Sequence, residues 1–464
     1  MKNFLIKPTV TPPLDKDFRP AVLANHAFLD AVRSSGKPIP LLIGLERSDG
    51  SLSVFNSHVF QKGSSLAKEN FSYAERLIKF LLWQRGGYKV IIGGPEDIGE
   101  YIKGVYSANG ERAFDVDLME QVYERKFTVE VTLPEKVPPP REKGTPLGRH
   151  LNGCRIGFDA GASDRKVAAV IDGKDVFSEE VVWDPKNQSD PQYHYSHIQD
   201  ALRSAARHMP RVDAIGISSA GIYINNRIMV ASIFRGVPRE VFEKKVKNLF
   251  LDIKKEWGNI PLEVINDGEV TALTGSMSLD VNRVLGIALG SSQAGGYVNK
   301  DGNITGWLNE LAFVPVDFNP DAPVDEWSGD RGCGVQYFSQ VAAIRLAVSA
   351  GIPLDNSQTP AEKLKSIQTL LANGDKKTRE IFETLGCYMG YTVAHYADFY
   401  DLQHVLILGR VTSGEGGNII LKKAGEVLEK EFPAISSRIA LHLPDESNRR
   451  VGQAIAAASL PAVS

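Results

Sequence analysis

Cysteine is scarce. Three residues, Cys154, Cys333 and Cys387, lie far apart with no C-x-x-C between them, which excludes a disulfide framework and a self-contained zinc ribbon and fits a reducing compartment. Long apolar runs are also missing. No stretch reaches the ~18 residues of a membrane-spanning helix, and residues 1–20 hold no apolar core of signal-peptide length, so the expectation is a cytoplasmic chain with no membrane partner. Charge of one sign is lacking as well: 53 Lys and Arg face 56 Asp and Glu, for a net charge of -3. That balance leaves no footprint for a nucleic-acid backbone, so a DNA reader would need a local motif. With 43% apolar and 23% charged residues the composition is that of a globular protein. Its 464 residues exceed one domain of roughly 100–200 residues.

Proline gathers in one place. Residues 134–150 carry Pro134, Pro138, Pro139, Pro140 and Pro146 among charges and glycine, a composition that favours extended, solvated backbone. We read this as a linker after an N-terminal α/β domain over 1–133. Beyond it, strands are predicted at 155–159, 166–171 and 175–182, followed by a helix with Ile198, Leu202, Ala205 and Met209 on one face. A strand at 213–218, a helix at 239–251, a strand at 262–265 and a helix from Glu269 complete the order βββαβαβα. A second copy opens at 282–289, with a return strand through Tyr297 and Val298, a strand at 404–408 and a helix beyond Gly416. Residues 311–400 read as a helical insertion. The expected lobes are 151–280 and 281–464, and two related halves imply a cleft between them, a usual place for a ligand.

The chemistry-bearing segments sit at the turns. In Phe158-Asp159-Ala160-Gly161-Ala162-Ser163 a strand delivers an Asp, then a Gly where backbone can approach a phosphate, then a hydroxyl. Asp159 suits the water shell of Mg²⁺, and Gly161 and Ser163 suit a phosphate; an ordinary hairpin turn would also use D-x-G-x-S. Leu289-Gly290-Ser291-Ser292-Gln293-Ala294-Gly295-Gly296 is a second small, hydroxyl-bearing turn, with Gly290, Ser291 and Ser292 as its phosphate-facing residues. Leu408-Gly409-Arg410-Val411-Thr412-Ser413-Gly414 ends another buried strand, as the edge of a nucleoside site would, through Gly409 and Thr412. Arg410 is bulky where a second close-approach Gly would be expected. At the strand-to-helix junction Ile265-Asn266-Asp267-Gly268-Glu269, Asp267 suits either a general base that accepts a hydroxyl proton or a helix N-cap.

Taken in order, these segments resemble the ROK family (repressors, open reading frames and sugar kinases) of the actin-like ATPase superfamily. The resemblance runs over about residues 154–460. The phosphate-one, phosphate-two and adenosine loops are similar to the three turns above, and the E-N-D-A-N box to 265–269. The G-E-x-G-H sugar box is similar to Asn309-Glu310-Leu311-Ala312-Phe313, and the C-G-x-R-G-C-L-E-x-Y-x-S stretch to 329–339. The resemblance implies a duplicated actin-like (ribonuclease H-like) α/β fold with two lobes around a cleft. It also implies ATP and Mg²⁺ as cofactors, a sugar as the small-molecule partner, Asp267 as catalytic base, and Asn266, Asp267 and Glu310 as sugar contacts. The departures are specific. The family's structural zinc uses one His and three Cys, whereas Phe313 and Gly329 stand at two of those positions and only Cys333 remains. One thiolate does not make a zinc site, so packing, with Phe313 and Trp327, is expected in its place.

Many family repressors begin with a winged helix-turn-helix. Here strands at 40–45, 51–59, 88–92 and 127–131 and helices at 73–83 and 96–105 are predicted instead, with no basic recognition helix, so specific nucleic-acid binding is not expected. Ile43-Gly44-Leu45-Glu46-Arg47-Ser48-Asp49-Gly50 echoes a phosphate-turn hairpin and Val90-Ile91-Ile92-Gly93-Gly94-Pro95-Glu96 an adenosine loop. The N-terminal domain is therefore read as a cap, a homodimerisation domain or a shortened, degenerate actin-like half. The leading function is an ATP- and Mg²⁺-dependent kinase acting on a hexose or related sugar hydroxyl; the alternative is a sugar- or nucleotide-sensing regulator with little turnover.

Overall fold

The computed structural model describes the chain except Thr145, Asp445 and Ser464, and for residues 446–451 the backbone only. Two compact units form. The first comprises 1–143, 289–293 and 306–443, and the second 144–288, 294–305 and 444–464. Sequence order suggests an N-terminal domain that stands apart from the residues after 281. The first unit instead joins 1–143 with 306–443, because aromatic and charged side chains of the two stretches share one interior, as described below.

In the first unit β1 (Ile39–Glu46), β2 (Leu52–Val59), β3 (Lys89–Gly93) and β4 (Thr128–Thr132) form a sheet of order β2-β1-β3-β4. β1 pairs antiparallel with both β2 and β3. That pairing corrects the degenerate actin-like reading. Such a half needs three strands before its first helix, so that the next strand returns parallel to the first. Two strands followed by the helix Glu69–Arg85 send β3 back antiparallel. The helices Ala21–Ser34 and Ala113–Tyr123 were not predicted. Neither has a side-chain N-cap, so the usual start signal is absent from the sequence.

The second unit contains β5 (Cys154–Ala160), β6 (Asp164–Ile171), β7 (Lys174–Val182) and β8 (Ala214–Ser219). A hairpin of β9 (Ile222–Ile224) and β10 (Arg227–Val230) precedes β11 (Leu262–Asn266). The main sheet has the order β11-β8-β5-β6-β7, with β5, β8 and β11 parallel and β6 antiparallel to both of its neighbours, β5 and β7. Its β5 and β8 are buried throughout and mostly apolar, as parallel strands covered on both faces must be, with Arg155, Asp159, Ser218 and Ser219 as the polar exceptions. The helix Pro191–Ala206 starts where Asp190 accepts from the Gln192 N–H and Pro191 takes the first position, and it buries Ile198, Leu202 and Ala205.

The helix predicted at 239–251 is broken. A π-turn over Phe242–Val246 separates Arg239–Val241 from Leu249–Glu256, and the Lys247 carbonyl accepts from the Ile228 N–H of β10 instead of continuing the helix. Further along, β12 (Val284–Leu289) and β13 (Gln293–Val298) flank the second glycine turn. In the first unit β14 (His404–Leu408) pairs parallel with β15 (Ala440–His442).

Candidate active site

Three parallel strands bring their carboxyl ends together in the second unit. Asp159 lies opposite Ser218 in the β5/β8 register, and Asn266 opposite Ser219 in the β11/β8 register. Ligands in open α/β sheets gather at such ends. Ser218 Oγ donates to Asp159 Oδ1 at 2.8 Å. Burial raises the Asp159 carboxyl above its ordinary range, partly opposed by that hydrogen bond. Ser218 was not singled out from sequence; the only signal was its place at the end of a buried strand.

Asn266, not Asp267, is the helix cap. Its Oδ1 accepts from the Gly268 N–H at 2.7 Å, and its Nδ2 donates to the Gly221 carbonyl at 2.7 Å. Asp267 is the first helical residue, half-buried, with Oδ1 at 3.0 Å from the same N–H. Burial, then the nearby charge of Asp159, pushes its carboxyl from 3.8 to about 6. Two residues on, Glu269 is pushed by burial to about 8, a residue the sequence reading left without a role. The helix start is held by close backbone approach. A Cβ on Gly268 would lie 2.1 Å from the Gly295 carbonyl oxygen, and one on Gly296 2.1 Å from the Gly268 oxygen. Gly295 and Gly296 thus serve packing within β13, and the second turn itself is only Gly290 to Ser292.

Strand β11 is steadied from its other side by the β9–β10 hairpin. Asn225 and Asn226 take left-handed conformations in its two-residue turn. The Asn226 side chain accepts from Val264 N–H at 2.8 Å and donates to the Leu262 carbonyl at 3.1 Å. Asn226 thereby acts as a short extra strand beside the one that carries Asp267.

The first turn is closed by a residue the sequence reading did not name. Trp183 Nε1 donates to the Gly161 carbonyl at 2.8 Å, and its backbone N–H to the Ser163 carbonyl at 3.2 Å. Ser163 is exposed and donates to Asp164 Oδ2 at 3.2 Å.

The remaining predicted residues belong to the first unit. Gly290 donates to the Ser292 carbonyl and accepts from Gln340 N–H, both at 2.9 Å, leaving Ser291 and Ser292 exposed. Gly409, at φ 106, lies so close to the Leu289 backbone that a Cβ would meet its carbonyl oxygen at 2.4 Å. Thr412 is buried and donates to the Gly409 carbonyl at 2.9 Å, so its hydroxyl shapes the loop. Arg410 is exposed, with its carbonyl accepting from Gln368 Nε2 at 2.7 Å, and its bulk stays outside the turn.

A family model described as the ROK family matches residues 155–457. The chain belongs to the ROK family. Among solved structures it is similar to a ROK glucokinase from Streptomyces griseus in complex with glucose and AMPPNP, with TM-score 0.51 and 19% identity over 66% of this chain and 98% of that one. It is also similar to a ROK transcriptional regulator, a homologue of the E. coli MLC protein, with TM-score 0.50 and 18% identity over 66% of this chain and 78% of that one. These likenesses show the fold, an actin-like ATPase α/β fold. Comparison with curated proteins finds no match.

In the stretch that corresponds to the ROK sugar box, Asn309 and Glu310 donate their backbone N–H groups to the carbonyls of Gln84 and Trp83, at 2.8 and 3.0 Å. Phe313 stacks on Trp83 at 4.2 Å and on Trp327 at 6.0 Å between ring centroids. The N-terminal helix Glu69–Arg85 therefore holds the loop that carries Glu310. At the stretch that the resemblance matches to the family's zinc-ligand positions, this chain has a buried charge network. Asp330 accepts from Arg76 at 3.1 Å and from Arg112 at 2.8 Å and lies 3.5 Å from Lys79, which in turn pairs with Asp115 at 3.0 Å. Glu75 bridges Arg76 and Arg112 at 2.7 and 2.6 Å. Three acids answer three bases. Burial keeps the Cys333 thiol protonated by raising it far above its usual value. Among the described residues no group of three or more His, Cys, Asp or Glu is placed to hold a metal ion.

Proposed function

We propose that this ROK protein is an ATP- and Mg²⁺-dependent kinase that phosphorylates a hydroxyl of a hexose or related sugar. The observation that carries the reading is the convergence of Asp159, Ser218 and the Asn266–Asp267 pair at the ends of three adjacent strands, with Asp267 at about 6. A general base works best with a pKa near the operating pH. The donor set suits Mg²⁺, which is usually held by one or two carboxylates and substrate phosphates and keeps several waters. ATP with Mg²⁺ would supply the transferable phosphoryl group and neutralise its charge.

Asp267 takes the proton from the sugar hydroxyl. Asn266 fixes that carboxylate by capping the helix, and its remaining contact capacity addresses the sugar, with Glu310 as the other sugar contact. Asp159, oriented by Ser218, serves the metal's water shell. Gly161, Ser163, Gly290, Ser291, Ser292, Gly409 and Thr412 are the nucleotide contacts we assign; Thr412 acts by shaping its loop. Among the described residues no helix is long and apolar enough to cross a membrane.

A second reading is a sugar- or nucleotide-sensing regulator with little turnover. It is favoured by Phe313, whose ring packs on Trp83 at a position where the family uses a sugar-contacting His. A coupled ADP-release assay over a sugar panel tests both. Sugar-dependent ADP release supports the kinase, and sugar binding without any release supports the regulator.

A further inference from the structure

A cavity of about 270 Å³ lies in the first unit, against the helix Ala21–Ser34, strand β2, the helix Glu69–Arg85 and the end of the helix Lys376–Ala397. At ~30 Å³ per water this is room for about nine waters, or for one small ring compound. Its floor is apolar and aromatic: Tyr73, Leu77 and Phe399 are buried, and Phe55 stacks on Phe399 at 5.2 Å.

Asn25 lines this floor and points to a ligand. The residue is only 8% exposed and, among the described residues, has no hydrogen-bond partner in the protein. Its amide opens onto the cavity, with its donors and acceptor left for what the cavity holds. It sits on a helix face otherwise made of Val22, Phe28 and Val32. A bound group with its own donors and acceptors can pair with it.

The chemistry of the rim restricts what the group is. His26 Nε2 and Asp398 Oδ2 stand 2.9 Å apart, and Arg33 is paired with Asp30 at 2.5 Å. Each cation is thus answered by an acid, which disfavours a charged ligand. Ser57 Oγ and Tyr73 OH share a hydrogen bond of 2.7 Å, so this pair retains a hydroxyl hydrogen and lone pairs for a further partner. Neutral donors and acceptors therefore reach the cavity from several elements around an apolar floor. A ring compound with hydroxyls on its perimeter and C–H groups on its faces matches that pattern. A nucleobase matches it less well, since Phe55 is already stacked on Phe399.

We propose that this cavity binds an uncharged, hydroxyl-bearing ring compound of monosaccharide size, addressed by the Asn25 amide and the His26–Asp398 pair. The site shares no residue with the one proposed for phosphoryl transfer and does not rest on that reading. Isothermal titration of the full chain with D-glucose, D-mannose, N-acetyl-D-glucosamine and myo-inositol, each as a separate probe, tests it on four proteins: wild type, Asp267→Asn, Asn25→Leu and Asp398→Asn. The expected result is a probe whose binding persists in Asp267→Asn and weakens at least tenfold in both Asn25→Leu and Asp398→Asn. Asn25→Leu puts an apolar side chain of similar size on the face of Val22, Phe28 and Val32 and should melt close to the wild-type temperature, and Asp398 is exposed. Loss of binding would then not be loss of fold. Three results would overturn the proposal: no probe binding at all, binding indifferent to Asn25→Leu and Asp398→Asn, or binding at this cavity of adenosine and of none of the four polyols.

Discussion

Replacing Asp267 by Asn separates three readings of one residue. The substitution keeps the side-chain volume and an acceptor for the Gly268 N–H, and Asn266 continues to cap the helix, so the local fold survives. Its effect on stability has a definite sign. Moving a carboxyl from 3.8 to about 6 corresponds to about 3 kcal/mol between its two protonation states. The folded chain binds this proton more tightly than the unfolded chain does. The associated stability is fully present below pH 3.8 and is lost as the pH rises through about 6. At pH 8 wild type therefore carries an unfavourable charge that Asp267→Asn removes.

Because the side chain is half-buried, solvent screens part of this, and a gain of about 1–2 kcal/mol at pH 8 is the expectation, shrinking towards pH 5. Turnover should move the other way. General-base assistance is worth roughly 10²–10⁴ in rate, so kcat should fall by that range while the protein melts higher. In wild type, kcat should decline as the pH drops below about 6. Melting curves at pH 5 and pH 8 together with coupled ADP release measure both arms. An Asp267→Asn enzyme with normal kcat would refute the base, and one that melts lower at pH 8 would refute the electrostatic argument.

Lys79→Met should remove the shared cation of Asp115 and Asp330 and cost about 3–5 kcal/mol, read as a lowered urea midpoint; an unchanged midpoint would show that the network does not hold this region. Gly268→Ala would place a methyl group 2.1 Å from the Gly295 carbonyl oxygen, so the helix start must shift. The displaced Asp267 should lose about 10² in kcat in a protein that remains folded, and normal kinetics would sink the positioning argument. With Phe313 packed on Trp83, chelation should leave the melting temperature unchanged and elemental analysis should find no stoichiometric zinc. One zinc per chain would mean that ligands lie elsewhere.

The sequence displayed the second unit's strand order well, for a physical reason. Buried parallel strands such as β5 and β8 are mostly apolar and end in functional turns, and both properties survive in one dimension. What it did not display were contacts whose partners are remote in the chain. Ser218 and Trp183 matter because β8 and the segment after β7 come back beside β5, and neither serine nor tryptophan has a local pattern that announces this. The Asn225-Asn226 pair was a readable hairpin signal; the grip of Asn226 on the edge of β11 was not. Gly296 looked like a phosphate-loop glycine, and only the packing against Gly268 explains why it tolerates no side chain.

The N-terminal segment makes the same point from the opposite direction. Its strands were legible, yet its role depended on a strand count: one strand fewer before the helix reverses β3 and removes the actin-like reading. Its contribution to the ROK core lies in the helix Glu69–Arg85, where Glu75, Arg76, Lys79 and Trp83 follow at helical spacing. Three of these meet Asp330 or its partners, and the fourth stacks on Phe313. The resemblance matches the family's zinc-ligand positions to Phe313 and Gly329, and in our reading this helix, with its buried, balanced charges, takes over the cross-linking of the Glu310 loop. Such a network tolerates loss of a single partner poorly, because each deletion leaves an uncompensated buried charge. The appended segment is therefore bound to the Glu310 loop by energy as well as by geometry, and the loop's conformation should be lost together with it.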